Sequence, residues 1–542
     1  METSNYWHAL DRRGLGNAGE LEVDPLKIGI SHGFGDVGEG LKVNIFRGMK
    51  TVELGFFGTG KGFRSQPTGA TPESFGHTER EDMRQLARIN EVELSTHAAP
   101  DLGSLSGFTG DRYSREAKEG SLQEIRRALD FAAETARGGA VVVHIGSRQG
   151  ELPRALVEVD EQFQLHEKEK ERTPIQLVHE RTGQIIRIPL NETFIESTID
   201  EKTGEFVRKT KTFQDLLDEE REKAQREGRP VELKNIYGSY RRREEELLEG
   251  ERDRFKLIAQ EEKQQHQQLK SIYDEFRQLE EKGGNVDYAR TLLRKTLEQR
   301  KLLPSTEGVY KEGEWQEYRI RPENFVKKLM ENSEKTYRAH EEIAISRDRE
   351  LGQVKQQTSE LQPAQEYVLK EVGDSLARAA MDAYTMEKER KLERPLFISP
   401  ENWNPESYGN HPKEYKEIIL ESRKQMVECL EKQGVKTSEA KEIAEDHIRG
   451  TFDIGHLNFW KKYFKGTDEE FKQWVDKEVD QLTKDNIIGH VHLSDNFGYH
   501  DEHLAPGEGN APIERFVEKM EKSGYKGKYI GEPGGQKEGF YH

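Results

Sequence analysis

Apolar positions along this chain fall into two alternating patterns. Short unbroken runs occur at LKIGIS (Leu26–Ser31), TVELGFF from Thr51, EVELSTHA, which carries His97, and AVVVHIG, which carries His144. Each predicts a buried parallel strand. Between them the spacing turns helical: Met83, Leu86 and Ile89 mark one stripe, and Leu122, Ile125, Leu129 and Ala132 mark another that stops at Gly138 and Gly139. Strand followed by helix, repeated, is the pattern of βα units around a parallel sheet.

The alternation is then interrupted. From Ile175 to Phe213 the chain reads as hairpins, with turn-like Arg181-Thr182-Gly183 and Lys202-Thr203-Gly204. Beyond it, Leu248, Phe255, Ile258, Leu269, Ile272, Phe276 and Leu279 follow a heptad-like track with a polar gap at Glu262 and Gln265. Gly283 and Gly284 break this track, which predicts a long helical hairpin. A further hairpin signal sits at KEGEW around Gly313, before more charged helix up to Glu360.

Strand–helix grammar resumes near Pro363. A helix over 364–390 presents small apolar residues on one face, and RPLFISPENW supplies a fifth strand ending at Glu401. Two helices, over 415–432 and 438–448, lead to a sixth strand in GTFDIGH with Asp453 and His456. A helix over 468–484 leads to a seventh strand ending at His492, and KGKYIGEPGG gives an eighth ending at Glu532. The expected architecture is an α/β (β/α)8 TIM barrel with a large helical and β-hairpin insertion after strand 4. Its parts are a first barrel half over 1–147, an insertion over 148–362 and a second half over 363–542. Only ten residues follow Glu532, too few for an eighth barrel helix.

Composition sharpens this picture in two respects. Charged residues make up 34% and hydrophobic ones 33%, which places the excess polarity in solvated helices of the insertion. The formal net charge of -18 argues against nonspecific attraction of the whole molecule to nucleic acid or anionic lipid. Cys429 is the single cysteine, and there is neither an apolar run of membrane-spanning length nor an apolar signal core at the start, so a cytoplasmic protein without membrane attachment is expected.

Candidate chemistry gathers at the strand ends. His97, His144, Glu401, Asp453, His456, His492, Asp501, His503 and Glu532 all lie at or just past the carboxyl end of an expected strand, the face where barrel active sites form. Mixed imidazole and carboxylate donors without cysteine suit a catalytic zinc or manganese rather than a structural metal. More donors are present than one ion needs, and a carboxylate such as Glu401 is able to bridge two.

With the segments HLSDN, DEHLAPGEGN and the D-x-x-H of FDIGH, the chain resembles the xylose isomerase-like barrel superfamily, also called AP endonuclease family 2, and its ligand pattern is similar to endonuclease IV. The resemblance covers roughly 1–147 and 363–542 and not the insertion. It implies three zinc ions: one on His97, His144 and Glu401, a second on Glu401, Asp453, His492 and Glu532, and a third on His456, Asp501 and His503. It further implies hydrolysis of a phosphodiester in abasic-site DNA by hydroxide generated at the metal, with Glu401 and Glu532 as the catalytic carboxylates. Sugar isomerases and epimerases of the same superfamily use one metal and a Glu, Asp, His, Glu set, which Glu401, Asp453, His492 and Glu532 also satisfy. His97, His144, Asp501 and His503 discriminate between the two, since a one-metal sugar enzyme does not need them. The chain departs from the endonuclease pattern at Pro100, where the family places an aromatic, while Lys61, Phe63 and Arg64 offer contacts to a nucleic-acid backbone.

Overall fold

The computed structural model describes residues 23–32, 36–61, 71–145, 152, 162–163, 174–199, 206–229, 233–302 and 321–532. Eight parallel strands close into a barrel. In chain order they are β1 (Ile28–His32), β2 (Thr51–Gly55), β3 (Glu93–His97), β4 (Gly139–His144), β5 (Leu396–Glu401), β6 (Gly450–Asp453), β7 (Ile488–Leu493) and β8 (Tyr529–Gly531). Each falls on a run expected from the sequence. Around the closure every strand pairs with its neighbour in number, β4 with β5 across the intervening insertion and β8 back onto β1. The β4–β5 register sets His144 beside Glu401, and the β6–β7 register sets Asp453 beside His492. The barrel alone therefore brings those four side chains to one rim.

The helices pack as their apolar faces require. The helix Ala364–Arg390 buries Leu376, Ala377, Ala379, Ala380 and Ala383 in the main core, together with Val141, Val143 and Ile398 of the sheet. Small residues on that face let a helix lie close on strands. Arg115–Thr135 contributes Leu122, Ile125 and Leu129 to the same core. One helix, Val37–Phe46, has no counterpart in the sequence reading: its apolar positions are few, and it is started by Asp36, whose side chain caps Gly38 and Glu39.

Contacts divide the chain into two compact units, 1–215 with 362–542, and 216–361. The first hairpin, Ile175–His179 with Ile185–Ile188, belongs to the barrel unit, where Val178 and Ile185 join the main core and Tyr113 N–H donates to Gly183 O at 2.8 Å. Its turn at Arg181–Gly183 is the expected one, with Gly183 at φ 68°. A second hairpin pairs Thr193–Ile199 with Phe206–Thr212. The 202–204 turn lies outside the described residues, as do the KEGEW signal, Phe63, Arg64 and the residues after Glu532; Lys61 is described and exposed.

In the second unit, helix Leu233–Glu281 runs antiparallel to helix Pro322–Ser359, tied by Lys355–Glu249 at 2.7 Å, Arg252–Asp348 at 3.3 Å and Lys263–Glu341 at 2.9 Å. The polar gap at Glu262 does not interrupt the first helix, because the Glu262 carboxylate meets His340 Nδ1 at 2.8 Å. The helix ends before Gly283, and Val286–Gln299 folds back to share an apolar cluster of Ile272, Phe276, Leu293, Leu297 and Phe325.

Candidate metal centre

All nine side chains singled out in the sequence lie at the carboxyl face of the barrel, and three groups of them have donor atoms within 4.8 Å of one another: His97, His144 and Glu401; Glu401, Asp453, His492 and Glu532; His456, Asp501 and His503; His97, His492 and Glu532 also meet that distance, as do Glu53, His490 and His492 beneath them. Glu401 is common to two of them. It is fully enclosed, with His492 Nδ1 at 2.8 Å from Oε1, and His97 Nε2 at 3.2 Å and His144 Nε2 at 3.3 Å from Oε2.

Three of the five histidine rings are held in one tautomer by their backs. His97 Nδ1 donates to Ala98 O at 2.7 Å, His456 Nδ1 to Asn402 O at 2.8 Å, and His503 Nδ1 to Glu532 O at 3.0 Å. Each bond fixes a proton on Nδ1 and turns the Nε2 lone pair toward carboxylates. His456 Nε2 and His503 Nε2 face the Asp501 oxygens at 3.5 and 3.0 Å. A lone pair aimed at a carboxylate is repulsive unless a proton or a cation lies between, and this backbone-anchored tautomer is how metal-ligating histidines are oriented. His456 Nε2 and His144 Nδ1 are buried and make no hydrogen bond. The donor set thus fits a divalent cation.

Loops after the strands supply the rest of the frame. Asp453 caps the short helix Ile454–Asn458 through Gly455 N–H at 2.6 Å and His456 N–H at 3.0 Å, and Ser494 Oγ donates to both of its oxygens. Gly455 is required by close approach, since a Cβ there would stand 2.1 Å from Ser494 Oγ and 2.6 Å from Ser494 O. Asp495 of HLSDN is not part of the donor set. Its carboxylate accepts from the N–H groups of Asn496, Gly507, Gly509 and Ala511, which folds the GEGN turn against β7. His503 stands in the left-handed region at φ 46°, a conformation costing roughly 1–3 kcal/mol that presents its ring to Asp501.

Protonation follows from this crowding. Burial opposes charge on Glu401, yet His492, His144 and His97 around it hold its carboxyl well below the usual range. Burial likewise opposes protonation of His97, but Glu401, Glu53 and Glu532 push it up to about 9. His503 is raised to about 9 by Asp501 against the same opposition. Burial keeps Asp453 above its ordinary value and lowers His144.

Four contributors escaped the sequence reading. Asn402 links β5 to β6, donating to Asp453 O at 3.0 Å and accepting from Asp453 N–H at 2.9 Å. Trp403 stacks on His144 with ring centroids 5.3 Å apart. Glu53 and His490 lie one layer deeper in the barrel, at hydrogen-bond distance from each other. A glutamate inside the apolar run TVELG was the available signal for Glu53; a lone indole or amide after a strand carries none.

Fold and site together define a closed eight-stranded (β/α)8 barrel whose carboxyl rim gathers histidines and carboxylates that could hold a metal ion. Residues 396–538 match the family described as xylose isomerase-like TIM barrel. An uncharacterized protein of Methanocaldococcus jannaschii is 31% identical over 192 residues, a match covering 31% of this chain and 59% of that protein, so the chain spans little more than half the length of this relative. Among solved structures, a D-tagatose 3-epimerase-like protein aligns with a TM-score of 0.38 at 14% identity over 94% of this chain and 90% of that one. The D-psicose 3-epimerase of Clostridium cellulolyticum H10 aligns with a TM-score of 0.37 at 8% identity over 95% and 87%. Among the described residues no helix is long and apolar enough to cross a membrane.

Proposed function

We propose that the barrel is a divalent-cation-dependent hydrolase of phosphodiesters similar to endonuclease IV, with abasic-site DNA as the substrate class. The observation that carries this reading is that the nine donors include, beside the Glu401, Asp453, His492 and Glu532 set, two further groups that a one-cation enzyme does not need. Zinc or manganese bound there supplies Lewis acidity and lowers the pKa of a water, which is what phosphodiester hydrolysis at neutral pH requires. The chain's own residues do the rest. Glu401 joins two groups through its two oxygens, and Glu532 lies beside it with Oε2 3.2 Å from His492 Nδ1. Asp501 and His503, partly exposed on the loop after β7, would hold a cation together with His456, and that cation would offset the charge building on a phosphate oxygen. Phe497 and Tyr499 on the same loop are 48% and 66% exposed, and rings at a rim suit stacking on a base or sugar.

A sugar isomerase or epimerase is the second reading, because Glu401, Asp453, His492 and Glu532 form a complete one-cation set by themselves. There Glu401 and Glu532 would serve as acid and base on opposite faces of the sugar. Elemental analysis of the full-length protein after zinc or manganese loading, with assays on a synthetic abasic duplex and on ketoses, decides between them. Three ions per chain with strand cleavage supports the hydrolase; one ion with ketose epimerisation and intact DNA refutes it.

A further inference from the structure

His492 is the exception among the site's anchored imidazoles. His97, His456 and His503 carry their proton on Nδ1 against a backbone carbonyl and present Nε2. His492 presents Nδ1 instead, 2.8 Å from Glu401 Oε1 and 3.2 Å from Glu532 Oε2, and its Nε2 points down the barrel to Glu53 Oε1 at 3.0 Å. This last contact lies off the favoured hydrogen-bond direction, and neither atom has a better-directed partner. Glu53 is at zero exposure on β2, and its other oxygen is taken by Ser95 Oγ and His490 Nε2, each at 3.0 Å. The β2–β3 register places Glu53 beside Ser95, two residues before His97, so the carboxylate occupies the layer directly beneath the site.

We propose that Glu53 is the positioning residue for His492: it holds the ring proton on Nε2, so that Nδ1 faces Glu401, Asp453 and Glu532 as a free lone pair. Three facts converge on this role. A carboxylate in the sealed interior of a barrel suffers a desolvation cost that an apolar residue at the same position would not, so its presence calls for a compensating partner. Ser95 and His490 commit one oxygen and fix the rotamer, which leaves Oε1 for the imidazole. The imidazole in turn has no carbonyl behind it, and a ring without an acceptor at Nε2 is free to place its proton on Nδ1, where it would face the carboxylates and block a cation. Carboxylate to imidazole to cation is a recognised way of setting tautomer and ring orientation, and loss of the outer partner weakens cation affinity about 10- to 100-fold.

The inference rests on the reading of the Glu401, Asp453, His492 and Glu532 group as a cation site, and the experiment separates the two. The full-length protein and its E53Q and E53A variants are titrated with zinc alone against a competing chelator, counted for bound zinc, and examined by 15N NMR with labelled histidine. The expected wild-type result is a His492 signal with the proton on Nε2 and zinc on Nδ1. E53A should lose about 10- to 100-fold in affinity for one ion per chain, with the ion on His456, Asp501 and His503 kept. E53Q, whose amide oxygen still accepts from Nε2–H, should fall between. Wild-type protein that takes up no zinc removes the cation reading and the inference with it. Zinc uptake with unchanged affinity in both variants, or coordination of His492 through Nε2, overturns the role of Glu53 alone. Should E53A not fold, E53Q and the wild-type spectrum still decide.

Discussion

Without a cation, the site is held together by protons, and this gives the cation-free protein an unusual pH profile. His97 is enclosed between Glu401 and the barrel wall, and its conjugate acid is pushed up to about 9 from an ordinary 6.5. That difference corresponds to about 3 kcal/mol of folded-state stabilisation. Because the folded value is raised, the contribution is fully present below pH 6.5 and is lost as pH climbs through 9. His503 carries a rise of the same size but is 23% exposed, so solvent screens its pair with Asp501 and it adds less. For a barrel unit of this size, about 3 kcal/mol corresponds to a fall of roughly 3–5 °C in Tm. The assay is thermal unfolding of chelator-treated and zinc-loaded protein between pH 6.5 and 9.5. The chelated protein should lose stability across the window and the loaded protein should not, since zinc takes the Nε2 position and leaves no proton to dissociate. A H97Q variant should flatten the chelated profile. A chelated protein whose Tm stays level or rises through the window would refute the account of His97 as a proton-bridged partner of Glu401.

Other substitutions test the frame. His503→Ala should remove one bound zinc and abolish cleavage of an abasic duplex while Tm changes little, because the residue sits on a rim loop; unchanged zinc content would exclude a cation on Asp501 and His503. Tyr415→Phe removes a buried hydroxyl whose single proton lies between Thr451 O at 2.7 Å and Pro400 O at 3.0 Å, and should cost about 1–3 kcal/mol in denaturant unfolding. Gly455→Ala forces a methyl into Ser494 and should cost about 1–3 kcal/mol together with cation affinity, read by unfolding and zinc titration. Replacing 216–361 by a flexible linker should leave zinc binding intact, since all nine donors belong to the barrel unit; loss of binding in a folded variant would contradict that.

What was legible in the sequence follows the physics of each feature. Parallel strands buried on both faces write themselves as apolar runs, so all eight could be read, and strand-end histidines and carboxylates stood out because nothing in a core explains them. The helix Val37–Phe46 was illegible because a capping aspartate and a few apolar positions, rather than a stripe, make it. The continuity of Leu233–Glu281 through Glu262 was hidden for a different reason: a polar residue on a helix seam reads as a break until its partner is known, and His340 lies far along the chain. Glu53 shows the same limit at the site itself. Its neighbours Val52 and Leu54 are fully buried, and the strand pattern alone suggests that the glutamate between them is buried too, but not why. The reason lies in β3 and β7, where Ser95, His490 and His492 surround it, and only barrel closure brings those strands to it. A first ring of donors is encoded locally, at the end of each strand, whereas the groups that orient those donors are encoded across strands. Substitutions beneath the site are therefore the sharper test of whether this barrel was shaped to hold cations: residues that merely crowd together need no Glu53, and donors arranged for a cation do.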